Sequence, residues 1–302
     1  MQKFLGKTLF AFLLAFICIP AANAQEKGDL NDDGKVSIGD VTTLINYLLS
    51  GSWGQGGQPS DTTVVVDDSK LTFNVNGVEF NMIKVEGGTF VMGSASGDTN
   101  EGYPHAVELS TYYIAETEVT QELYQAVMGS NPSAHVGSKY PVEKVSWSNA
   151  NTFANKLSEL TGRSFSLPTE AQWEFAAIGG NKSNGYTYSG SNTVDNVAWY
   201  SGNSGNATHE VATKLPNELG IYDMSGNVME WVYDNYEEQY PNTSLVQIDP
   251  TGPSAYTGEV VIRNGAYSSP AYYLRNTRRI GMNPWYTDYG IIGFRVAMKN
   301  NY

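Results

Sequence analysis

Leu71, Phe73 and Val75 alternate with polar residues, and after Asn76-Gly77 the alternation resumes at Val78, Phe80 and Met82. Two alternating runs joined by Asn-Gly predict a β-hairpin with a type I′ turn, since both turn residues must take positive φ. The period then changes to that of a helix. Thr120 is placed to cap a helix carrying Leu123, Val127 and Met128 and ended by Gly129. Ser148 is placed to cap a second, carrying Phe153, Ala154, Leu157 and Leu160 and ended by Gly162. Thr169 and Gln172 fit a capping box ahead of Trp173 and Ala176. Beyond Gly179 helical periodicity fades, and short strands are expected at 260–262 and 294–298 within irregular chain. The pattern reads as an α+β domain with long structured loops over residues 71–302, without tandem repeats.

The first 24 residues have a different grammar. Lys3 and Lys7 precede an apolar run from Phe10 to Ile19, too short to span a bilayer well, and Ala22-Asn23-Ala24 is a cleavage pattern. Residues 1–24 therefore read as a signal peptide, with the mature chain starting at Gln25 and exported to the periplasm, cell surface or medium. No transmembrane segment is expected in that mature chain. Cys18, the single cysteine, lies inside the signal, and Ala15-Phe16-Ile17 before it does not suit lipid attachment. Thiol chemistry, thiolate metal sites and disulfides drop out of the mature protein, whose size lets it bury a core without cross-links. The formal net charge is −13, and losing Lys3 and Lys7 makes it −15. That balance disfavours nucleic acid or an anionic membrane as partner and suits calcium.

Residues 25–50 carry the first chemical motif. Asp29, Asn31, Asp33, Ser37 and Asp40 put oxygen donors at loop positions 1, 3, 5, 9 and 12. Gly34 stands at the turn, and Lys35 offers its carbonyl at position 7. Calcium needs six or seven hard oxygens converging on one point, and this spacing supplies them. The competing reading is a solvated acidic turn. Ile38, Val41, Leu44, Ile45, Leu48 and Leu49 then share one helical face. The run GDLNDDGKVSIGDVTTLINYLL resembles one repeat of a type I dockerin. Dockerins usually carry two repeats and bind a cohesin, so the resemblance implies a protein partner through a single repeat. Residues 51–70, opening with GSWGQGGQP, read as a flexible linker.

Within Asn217–Trp231, NELGIYDMSGNVMEW, the carboxylates Asp223 and Glu230 flank a Gly-Asn turn that adds the carbonyls of Gly226 and Val228. Spacing leaves two readings open: a cation site, or a hairpin with Met224, Met229 and Trp231 in the core. The runs VEGGTFVMGS, YYIAETEVTQELYQAVMG, PVEKVSWSNANTFANKL, LPTEAQWEFAA, LGIYDMSGNVMEW and IGFRVA follow in order. Together they resemble the sulfatase-modifying-factor family, the formylglycine-generating-enzyme domain, over about 80–299. That resemblance implies a loop-rich variant of the C-type lectin fold. It also implies a structural calcium held by Asp223, Gly226, Val228 and Glu230, and a second mapping near Asn196, Val197, Asn203 and Gly205.

In the enzymes of that family, two cysteines near the C-terminus bind copper(I) and a substrate cysteine is oxidised to formylglycine. Aligning NGAY (Asn264–Tyr267) with the family's GGSY places the first cysteine at Ser269, the second at Leu274 and a neighbouring serine at Ala266. Soft sulfur holds copper(I) in low coordination; a hydroxyl does so poorly and a leucine not at all. Ser269 as a nucleophile needs an adjacent base that the sequence does not identify. A related branch uses non-haem iron on a His/Glu-rich helical domain, whereas His105, His135 and His209 are scattered here. The leading expectation is a non-catalytic, exported binding or structural module. Tyr272, Tyr273, Arg275 and Trp285 are the candidate surface for a glycan or peptide ligand, against the alternative of core aromatics and internal ion pairs. The alternative function is an oxidase of the family's type with a rebuilt site.

Overall fold

A computed structural model describes residues 69–287 and 290–300. The expected signal peptide, the expected calcium loop with the helix expected after it, and the expected linker lie outside the described residues. The chain separates into two units, Met1–Val65 and Val66–Tyr302, and the described residues all lie in the second.

The predicted hairpin is β1 (Lys70–Val75) and β2 (Val78–Val85), paired from Lys70 opposite Ile83 to Val75 opposite Val78. Asn76 (φ 52°) and Gly77 (φ 88°) both sit in the left-handed region, as a type I′ turn requires. Phe73 stacks on Phe80 across the strands with ring centroids 5.4 Å apart. β5 (Tyr112–Ala115), β12 (Ala297–Lys299) and β6 (Phe165–Ser166) complete an antiparallel sheet in the order β1-β2-β5-β12-β6. A second sheet runs β10 (Arg279–Met282), β9 (Val260–Arg263), β7 (Met229–Asn235) and β11 (Ile292–Phe294), with β11 parallel to β7. β3 (Gly88–Met92), β4 (His105–Leu109) and β8 (Gln247–Ile248) form a third.

Helix α1 (Gln121–Met128) is capped by Thr120, whose hydroxyl accepts from Leu123 N–H, and closed by Gly129 at φ 81°. Helix α2 (Trp147–Thr161) has its cap two residues before the expected one. Ser146, not Ser148, accepts from Asn149 N–H, and Asn149 reciprocates to the Ser146 backbone. The earlier start turns Trp147 inward, where its indole N–H donates to Val232 O at 2.7 Å. Helix α3 (Glu170–Ala177) carries the expected Thr169–Gln172 capping box, and α4 (Val194–Val197) is a single turn.

The expected strand over 294–298 is two strands in different sheets. β11 ends at Phe294, β12 starts at Ala297, and Arg295 sits fully buried at the crossing. A buried guanidinium must meet a carboxylate, and turning towards Glu230 takes the chain out of one sheet and into the other. Alternation divides the interior in two. Met82, Tyr113 and Ala115 pack with α1, α2, Trp231 and Ile262. Ile83, Tyr112 and Ile114, on the opposite sheet face, pack with α3, Val232 and Val261. Both faces of the central strand β5 are thus buried.

Candidate functional site

Five buried ionisable side chains tie α3 to β7, β9 and β10. Glu170 and Glu174 stand one turn apart on α3, and Arg263 and Arg279 are paired across β9 and β10. Arg279 grips Glu170 through Nε to Oε1 at 2.7 Å and Nη2 to Oε2 at 3.0 Å. Arg263 Nη2 donates to Glu174 Oε2, and its Nη1 reaches Glu170 Oε1. Asp234, on β7, accepts the Glu170 N–H at 2.8 Å and lines a cavity of about 440 Å³ with His105, Tyr240 and Pro253. Burial, then the Glu170 charge, push the Asp234 carboxyl up to about 8.

The Gly-Asn turn lies immediately before β7. Asp223, Gly226 and Asn227 all have positive φ, at 60°, 90° and 58°. A side chain on Gly226 would collide with the Trp199 carbonyl, so only glycine fits. Asn227 holds Glu118, donating to Oε2 at 2.7 Å, while Val228 N–H donates to Oε1 at 3.0 Å. Asp223 Oδ2 accepts Ala212 N–H at 2.8 Å. Both Glu230 oxygens accept from Arg295, each at 2.8 Å, and Oε2 also takes the Trp173 indole N–H. Asn264, directly after β9, aims Nδ2 at Asp223 O (3.1 Å), Gly226 O (2.7 Å) and Val228 O (3.0 Å). The atoms expected to bind calcium are therefore present, but protein donors surround them. As placed, they do not fit a cation, which would adjoin a buried guanidinium at Glu230.

At the second expected calcium position, Asn203 turns inward on its own loop. Its Oδ1 accepts Tyr200 N–H at 3.0 Å and its Nδ2 donates to Ala198 O at 3.0 Å. Asn196 gives its carbonyl to Leu215 N–H. Val197 is buried and Gly205 exposed. Among the described residues no group of three or more His, Asp or Glu is arranged to hold a metal. His105 meets Tyr240 edge-on, His135 meets Tyr267, and His209 stacks on Trp199, in separate places.

The positions aligned with the copper cysteines also have other duties. Ser269 Oγ accepts Ala266 N–H at 3.0 Å and Ser269 O accepts Ser201 N–H. Leu274 is fully buried, and a Cβ on Gly265 would come within 2.9 Å of its Cδ1. A hydroxyl used as a turn acceptor and an embedded leucine do not fit copper(I).

The four candidate ligand-binding residues separate. Tyr272, Tyr273 and Trp285 are 49%, 40% and 70% exposed. Arg275 instead forks onto the buried Glu101, Nη1 to Oε2 at 2.9 Å and Nη2 to Oε1 at 2.7 Å, with Tyr272 beneath its guanidinium. Tyr272 OH donates to Asp98, which Arg278 also meets. Glu101, Glu118, Asn264 and Arg295 are the organising residues that sequence reasoning missed. The one signal for them was Arg295, a lone charge inside the apolar IGFRVA.

The sequence model of the sulfatase-modifying factor enzyme 1-like domain matches residues 72–300, and that of the type I dockerin domain matches 27–77. The second match runs past the expected repeat and through β1 to Gly77. Chaperone protein LppX of Paenibacillus barcinonensis is 37% identical over 208 residues, 52% of this chain and 72% of that protein. The formylglycine-generating enzyme of Streptomyces coelicolor is 26% identical, covering 71% and 88%. Treponema denticola variable protein 1 superposes with a TM-score of 0.70 at 35% identity, over 76% of this chain and 99% of that one. With the match running through nearly all of the described residues, this chain belongs to the sulfatase-modifying factor enzyme 1-like domain family.

Proposed function

We propose that this protein is an exported, non-catalytic member of its family, a rigid scaffold that offers exposed aromatic side chains to a protein or glycan ligand. The observation that carries the reading is the state of the two cysteine positions. Ser269 Oγ is spent on Ala266 N–H, Leu274 is sealed in the interior, and no cysteine follows residue 18. Without two thiolates the chain lacks the ligands that make copper(I) oxidation chemistry accessible. Relatives named as a chaperone and as an enzyme share the scaffold, so activity follows from the site and not from the fold. The type I dockerin match supports docking to a cohesin-type partner, with calcium ordering the Asp29–Asp40 loop. Incubating the protein with copper(I), oxygen and a peptide carrying the sulfatase cysteine motif tests the central claim. No aldehyde above the protein-free control is expected; catalytic aldehyde formation would establish the oxidase alternative.

A further inference from the structure

We infer that the family domain of this chain braces its Gly-Asn turn with the side-chain amide of Asn264 in place of a calcium ion, so that its fold does not depend on that cation. Three carbonyl oxygens from one short turn, those of Asp223, Gly226 and Val228, point at one place. Their dipoles repel, and such a cluster persists only around a positive centre. Here that centre is Asn264 Nδ2, at 3.1, 2.7 and 3.0 Å from the three oxygens. These are N–H···O distances, longer than the roughly 2.3–2.6 Å of calcium–oxygen contacts. With two hydrogens for three acceptors, one bond is shared.

The orientation of the amide is settled by its other end. Asn264 Oδ1 accepts Gly226 N–H at 2.7 Å and Gly265 N–H at 2.8 Å, so the nitrogen must face the carbonyls. Asn264 is 1% exposed and takes a left-handed φ of 69°, which asparagine tolerates better than most residues. The alignment of NGAY with GGSY puts glycine, which has no side chain to fill the cage, where this chain has Asn264. The carboxylates that would complete a cation's shell are engaged as well. Glu230 is clamped by Arg295, and Asp223 Oδ2 takes Ala212 N–H. Asn203, one of four residues expected at the second site, is turned onto Tyr200 and Ala198.

The inference goes beyond the proposed function and is independent of whether the Asp29–Asp40 loop binds calcium, so the test silences that loop. The full chain carrying Asp29→Asn and Asp33→Asn is equilibrated in calcium, exchanged into metal-free buffer and analysed for bound calcium. Its thermal midpoint is read with and without EGTA. Essentially no bound calcium and an unchanged midpoint are expected. Adding Asn264→Gly opens the cage. In EGTA this chain should melt several degrees lower, and millimolar calcium should restore part of the loss. Retention of about one calcium per chain by the loop-silenced protein with Asn264 intact overturns the inference. So does a fall in its midpoint on chelation. Both measurements stand even where Asn264→Gly fails to fold.

Discussion

Asp234 is a buried carboxylic acid displaced far from its usual range, and the consequence is a pH dependence of stability. Its folded carboxyl is pushed up to about 8, by burial first and the Glu170 charge second. An unfolded aspartate loses its proton near pH 3.9, so between about 4 and 8 the folded state holds a proton that the unfolded chain has released. The stabilisation is full below the lower value and is lost as pH rises through the upper one, by up to about 1.4 kcal/mol per unit. Glu170 works in the opposite sense, since Arg279 and Arg263 outweigh its burial and hold it below the usual carboxylate range. Comparison with Asp234→Asn isolates the one group. In urea unfolding at pH 5 and pH 8, the wild-type midpoint should fall more than that of the variant; equal falls would mean that Asp234 is already ionised. None of this was legible in EWVYDNY, because the groups that shift Asp234 lie on α3, β9 and β10. Asn264 was equally hidden, its three carbonyl partners lying 36 to 41 residues away.

At the scale of elements the sequence spoke clearly wherever the signal was local. The β1–β2 hairpin, α1 and α3 are set by turn residues, caps and periodicity within a dozen positions. Helix α2 shows the limit of that reading. Ser146 and Ser148 both precede the apolar run, and each has the hydroxyl that a cap needs. Tertiary contact decides between them, since starting at Trp147 buries its ring edge and pairs its N–H with Val232 O. Ser146→Ala should cost about 1 kcal/mol, while Ser148→Ala should stay within about 0.5 kcal/mol, both read from chemical denaturation. A larger loss at Ser148 would contradict the observed helix start. The division of 294–298 into β11 and β12 has a similar origin. Alternation marked the segment as extended, but the partner of Arg295 determined that its halves join different sheets.

Taken as a whole molecule, the domain has a double core around its central sheet and a surface on which several aromatic side chains remain exposed. Arg275 does not belong to that surface, because Glu101 holds it. Tyr272, Tyr273 and Trp285 do. For any glycan or peptide that the full chain captures on an array, Tyr272→Ala or Trp285→Ala should weaken binding about tenfold, or about 1.4 kcal/mol. Capture indifferent to substitution at all three aromatic positions would exclude these side chains as the binding groups. By itself the sequence determined the family, the hairpin and the helical segments, because periodicity, capping and consecutive motifs are written in neighbouring residues. It also determined the loss of the copper ligands, because a missing cysteine is missing in every conformation. Only the tertiary structure decided which oxygens were free to hold a cation. Asn264 and Arg295 reach those oxygens from distant positions in the chain, and a buried donor claims its acceptor only once the chain has brought the two together.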